Sequence, residues 1–203
     1  MLGVTSMPQE QKLQQIESDT VLWDRGVAQL GAEFSTLPAA GRAELIPLLA
    51  AMGRLKEEIV LLSDGADGSA VCSLCNGACC RVGKYHPTFL DLLACVEVAA
   101  FPVKPDFTST VCPFLGDSGC RFVPSRRPFT CVIFVCELIA ERLPGGELAR
   151  LARMEEELRH LRRRTAARFG GRLTESVFLE MERSDRDGVP VLTPPTDGGS
   201  NGT

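Results

Sequence analysis

Nine cysteines in 203 residues are the side chains of this sequence best able to do chemistry. Cys72, Cys75, Cys79 and Cys80 fall within the stretch CSLCNGACC, and Cys95, Cys112, Cys120, Cys131 and Cys136 follow. Two residues between Cys72 and Cys75 let both thiolates reach one ion across a short loop, a spacing that recurs in zinc and iron–sulfur sites. Gly77 frees the backbone to wrap, and Ala78 leaves room for sulfur. Cys79 and Cys80 are adjacent, so their side chains diverge. The simplest use of such a pair is one ligand in each of two directions. Cys112-Pro113 resembles the Cys-Pro step of ferredoxin-type runs. Gly119-Cys120 reads as a turn, and Cys131 and Cys136 bracket the apolar run VIFV. Cys95 sits inside LLACVEVAA and reads as a small buried hydrophobe. The remaining eight thiols suit two four-thiolate centres, or one centre with accessory thiols.

Other uses of these thiols fit less well. With no basic n-region and apolar run at the N-terminus, the chain reads as cytoplasmic, where thiols stay reduced, and the odd cysteine count suits a disulfide framework badly. A thioredoxin-like pair wants a βαβ context, which the flanks GADGSAV and NGACC do not provide. The two histidines, His86 and His160, are the available partners for a cysteine nucleophile. His86 stands at a helix start and reads as structural rather than as a ligand, and His160 as solvated among arginines. Residues 72–136 carry six Lys/Arg against four Asp/Glu. Arg81 and Arg127, with Arg121 and Arg126, lie near cysteines in sequence and are candidates to donate hydrogen bonds to thiolate sulfur or a bound cluster.

The blocks Cys72-x-x-Cys75-x-x-x-Cys79-Cys80-Arg81, Cys112-Pro113-Phe114-Leu115, Gly119-Cys120, and Arg127-Pro128-Phe129-Thr130-Cys131 with Cys136 occur in that order. In order and character they resemble the zinc- or iron-chelating cysteine-cluster proteins (the YkgJ-like, CxxCxxCC family). The resemblance covers residues 72–136, about a third of the chain. It departs from the family in two places. Three residues rather than two precede the double cysteine, and Val132 stands where arginine often follows the RP-x-x-C step. The resemblance implies metal binding. Some family members are associated with flagellin lysine methylation and carry an iron–sulfur cluster, but no Gly-rich fingerprint for a nucleotide or S-adenosylmethionine occurs here to carry that activity over.

The elements that must position the thiols read as helices on either side of them. Residues 1–66 contain no cysteine. A first helix starts near Ser6 and stops at Gly31, with Leu13, Ile16, Trp23, Val27 and Leu30 on one stripe. A second runs from Thr36-Leu37-Pro38 to about Leu62, with Leu45, Leu48, Met52, Leu55, Ile59 and Leu62 on its face and a kink or restart at Pro47. In residues 67–143 a helix capped at His86-Pro87-Thr88 runs to about Ala100, and a short one spans about Cys131 to Arg142; the rest reads as irregular loops. Residues 144–183 return to helix, from Pro144-Gly145-Gly146 to Gly170-Gly171, with a shorter helix after Thr174. Residues 184–203 read as a disordered tail.

The fold class expected is therefore mainly α: a small helical bundle beside a largely irregular central region organised by metal. Composition is ordinary for a globular domain, 44% hydrophobic and 24% charged. A net charge of −4 gives no global reason to expect nucleic acid or an anionic membrane. The basic run from Arg159 to Arg172 lacks interleaved aromatics for base stacking, and it reads as cations favoured near a helix C-terminus. Helical stripes left uncovered would serve self-association or a protein partner. Four thiolates suit zinc and iron–sulfur alike; the Cys-Pro step and the family tilt the expectation toward a [4Fe–4S] cluster, with zinc the alternative. The expected function is a metal- or cluster-binding module, the alternative a cluster-dependent enzyme or subunit acting in electron transfer or protein modification such as lysine methylation.

Overall fold

The computed structural model describes residues 8–68, 71, 78–97, 103–116, 119–183 and 188–195, with Ala78 and Cys79 described in the backbone alone. Two long helices lead the chain, α1 (Gln9–Thr36) and α2 (Ala39–Gly65). A 3-10 segment, Ala78–Tyr85, carries Cys79 and Cys80 and leads into α3 (Phe89–Val96). Strands β1 (Leu115–Gly116) and β2 (Gly119–Cys120) form a minimal antiparallel hairpin, pairing Leu115 with Cys120. After a 3-10 turn at Pro124–Arg126 come α4 (Phe129–Ile133), α5 (Glu137–Ala140), the long α6 (Gly145–Phe169), a 3-10 turn at Gly171–Thr174, and α7 (Val177–Met181). The mainly α expectation holds, and none of the described helices is long and apolar enough to cross a membrane.

The three amphipathic helices do not pack as one bundle of neighbours. Helix α2 lies on α6, while α1 makes its main contacts with α3 and α7. The predicted α2 face is the one that is buried, through Leu45, Leu48, Met52, Leu55 and Ile59. On α1 the stripe is buried at Trp23 and Leu30, but Leu13 is exposed. Gly26 lets α7 approach closely, since a Cβ there would stand 2.7 Å from Val177 Cγ1. On α6, Leu151, Met154 and Leu158 are buried as expected, whereas Leu148 is exposed.

Several boundaries differ from the sequence reading. Helix α1 runs through Gly31 to Thr36. Helix α2 runs through Pro47, which is tolerated because Ala43 and Pro47 are both exposed, so the carbonyl that proline leaves unpaired meets water. The helix expected over Cys131–Arg142 is split in two. Val132 and Ile133 stay within α4, and Phe134 and Cys136 adopt extended backbone between α4 and α5. The tail is corrected over Gly188–Pro195: Val191 and Leu192 are buried, and the Glu33 carboxylate accepts hydrogen bonds from both their backbone N–H groups.

The basic run at the end of α6 is a solvated face at Arg163, Arg164 and Arg168, with Arg162 and Arg172 drawn inward. Arg163 pairs with Glu156, Arg168 with Glu44, and Arg172 with Glu180. Arg162 donates to the Thr174 carbonyl at 2.8 Å and stacks over Phe129 at 4.6 Å.

Candidate metal centre

Each described thiol-bearing segment is fastened to the helical body by its own device. The 3-10 segment that carries Cys80 is held through Lys84, whose ammonium meets the buried Asp19 carboxylate of α1 at 2.6 Å. The same ammonium lies 5.2 Å from the centroid of Phe178 on α7. Cys112 and Cys120 flank Phe114, which is buried with its ring 5.1 Å from Trp23 and 5.0 Å from Phe122. Cys131 follows Phe129, whose backbone N–H donates to Asp91 Oδ1 at 3.0 Å.

Asp91 is the junction of these devices. Its side chain closes a capping box at the start of α3, with Oδ2 accepting from Thr88 N at 3.1 Å and from Thr88 Oγ1 at 2.7 Å. Its Oδ1 accepts from Lys56 Nζ of α2 at 2.7 Å, and both partners are almost wholly buried. Burial alone would raise the pKa of this carboxyl. The charges of Lys56 and Arg162, with hydrogen bonds from Lys56 and Thr88, outweigh it and hold the group below the usual carboxylate range.

Thiols from two other segments, the 3-10 segment and the hairpin, lie near enough to Cys131 to act on it electrostatically. Burial pushes the Cys131 thiol far above its usual range, and Cys120, Cys112, Asp91 and Cys80 push the same way. Cys112 is buried, Cys80 and Cys131 are half-buried and Cys120 is exposed. Gly83 is packed against Cys112 so closely that a Cβ there would stand 2.5 Å from its sulfur. The side chain nearest to Cys131 that sequence reasoning passed over is His86, whose Nδ1 lies 3.1 Å from the sulfur. Burial lowers the His86 pKa, against the opposing pull of the Asp91 carboxylate. No local spacing announces this contact, because 45 residues separate the two. The available signal was compositional: one of only two histidines stands in the cysteine-rich segment.

The other predicted site residues divide. Cys72 and Cys75, and the side chain of Cys79, lie outside the described residues. Cys136 is half-buried at the start of α5, packed against the core, and is not among the groups acting on Cys131. Arg81 is exposed. Arg127 is half-buried, with its Nε enclosed and without a hydrogen-bond partner among the described residues. Neither arginine is among the groups acting on Cys131. Cys95 is buried in α3, its sulfur 3.7 Å from the Asp91 carbonyl, and burial pushes its thiol up to about 11.

Among the described residues, no three His, Cys, Asp or Glu side chains are close enough to hold a metal ion. The donor chemistry nevertheless fits a borderline or soft cation, since the groups that gather are sulfur and imidazole nitrogen. Two cavities border the helical body, and none of the described cysteines lines either. One, of about 10 Å³, lies between Lys56, Asp91, Ser125, Phe129 and Arg162 and is large enough for little more than a water. The other is an open groove of about 900 Å³ along the end of α6, lined by Arg162, Arg163, Arg168 and Thr174 among others.

Comparison of the chain with protein-family models, with curated proteins and with solved structures finds no match.

Proposed function

We propose that this chain is a metal-binding module whose thiolates hold a [4Fe–4S] cluster or a zinc ion at a centre built around Cys131. The observation that carries this reading is that Cys80, Cys112 and Cys120 lie near enough to act on Cys131, the four thiols standing on three segments that are separately anchored. At Cys131, burial, the neighbouring thiols and the Asp91 carboxylate all disfavour the thiolate. A bound cation reverses that logic, because a coordinating thiol is deprotonated outright.

The C-x-x-C block at Cys72 and Cys75, with Cys79, adds to the thiols from which the four ligands of a closed centre are drawn. One centre accounts for the thiols around Cys131, and Cys136, standing apart, is an accessory thiol. The motif order that resembles the cysteine-cluster family supports the same reading. The module reading is preferred to an enzyme because none of the described thiols lines the groove along α6.

The test is direct. The full chain is purified anaerobically, its visible spectrum recorded, and zinc, iron and acid-labile sulfide measured per chain. A brown product with iron and sulfide identifies the cluster, and a colourless zinc protein identifies the ion. A chain that holds neither, and keeps its helical content in chelator, refutes the proposal.

A further inference from the structure

Resting on that reading, we infer that His86 is itself a ligand of the centre, paired with Cys131, so that the metal is held by mixed sulfur and nitrogen donors rather than by thiolates alone. The contact is built from both sides. The His86 backbone N–H donates to the Gly83 carbonyl at 3.2 Å. The next carbonyl, of Pro87, accepts from Val177 N at 3.0 Å, and Thr88 pairs with Ser176. The imidazole is thus carried on backbone clamped between the 3-10 segment and α7. Cys131 is placed by the Phe129 N–H to Asp91 bond and by its own N–H, which donates to the Pro128 carbonyl at 2.9 Å. Asp91 belongs to the helix that His86 precedes, so one packed node sets both partners.

The spacing fits coordination. A tetrahedral zinc with ordinary Zn–N and Zn–S bonds separates the two donor atoms by roughly 3.6 Å. The observed 3.1 Å lies within a small adjustment of that value. Charge favours a nitrogen donor as well. Four thiolates on one zinc leave the centre with two net negative charges, and replacing one by neutral imidazole leaves a single charge. The rival role for His86 is a ring N–H hydrogen bond to a metal-bound sulfur, which would position Cys131 without touching the metal.

Metal K-edge X-ray absorption on the anaerobically purified full chain separates these. If the metal is zinc, the first shell shows one nitrogen with imidazole multiple scattering among the sulfurs. If it is a cluster, pulsed EPR of the reduced protein labelled with 15N-histidine shows nitrogen coupled to iron, and the coupling disappears in His86→Cys. That variant keeps its metal count with an all-sulfur shell, and His86→Ala weakens metal binding at least tenfold at unchanged helical content. Wild-type protein with metal bound, an all-sulfur shell and no coupled nitrogen overturns the inference and leaves the thiolate centre standing. Protein that binds neither zinc nor iron removes the centre, and this inference with it.

Discussion

Replacing Asp91 by alanine should be the most damaging single change in the helical body. The carboxylate is buried and accepts from Lys56, Thr88 Oγ1, Thr88 N and Phe129 N at 2.7–3.1 Å. Its removal strands the Lys56 ammonium, whose side chain is 6% exposed. Breaking a buried pair from one side costs about 3–5 kcal/mol, and each buried donor left without an acceptor adds about 1–3 kcal/mol less than additively. We expect about 4 kcal/mol in all, a large part of the roughly 5–15 kcal/mol that holds a domain together. With a urea slope of about 2 kcal/mol per molar, the unfolding midpoint should fall by about 2 M. Lys56→Met should cost less than half as much, because Asp91 keeps Thr88, Phe129 and the nearby Arg162 charge. The double variant Lys56→Met/Asp91→Leu should recover about 2 kcal/mol relative to Asp91→Ala, since no charge is then stranded.

Proton linkage gives this prediction a second arm. The folded-state pKa of Asp91 is depressed below the unfolded value of about 3.9. Its stabilisation is therefore fully present above that value and is lost as pH falls through the lower folded one. The gap between wild type and Asp91→Ala should stay constant from neutrality to about pH 4 and close below it. A midpoint shift under about 0.5 M in urea, or a double variant no more stable than Asp91→Ala, would refute the assignment of Asp91 as the junction.

Two further outcomes concern the thiols. Gly83→Ala places a Cβ 2.5 Å from Cys112 Sγ and 3.1 Å from its Cβ, so Cys112 must move. Overpacking of this kind costs about 1–3 kcal/mol, and metal titration should show binding weakened about ten- to hundredfold; unchanged affinity would remove Cys112 from the centre. Cys95→Ala should leave metal per chain unchanged and cost about 1 kcal/mol in denaturation, the loss of a small buried side chain. Metal loss equal to that of Cys131→Ser would overturn the division of the thiols.

What the sequence made legible was whatever repeats locally. The α2 face from Leu45 to Ile59 follows from helical spacing, and the Thr88 cap follows from Thr-x-x-Asp ahead of an apolar run. Stops were misread where a local rule was overridden. Gly31 costs about 1 kcal/mol within a helix, but the chain beyond it is pinned where buried Leu30 and Leu37 pack. The tail was read from its overall polarity, yet the short run Val189-Pro190-Val191-Leu192 holds two buried residues seated on α1 and α6. His86, read as structural from its place at a helix start, was set aside for a different reason. Metal-ligand motifs are recognised by short spacing, and this contact is made by tertiary packing alone.

The anchors also bear on what metal contributes to folding. Irregular loops of this length suggest a centre that is unfolded without its ion, as in small zinc domains. Here the loops are attached to the helical body by contacts that need no metal: Lys84 to Asp19, Phe114 to Trp23, and Phe129 to Asp91. The empty state is also electrostatically tolerable, because burial and neighbouring thiols keep Cys131 protonated and neutral. Metal binding then removes protons from a set of thiols already brought together, rather than assembling them from a disordered chain. Less of its binding energy goes into ordering the backbone and more into affinity. On the proposed reading, anchors such as Asp19 and Trp23 on α1 and Asp91 on α3 supply that preorganisation.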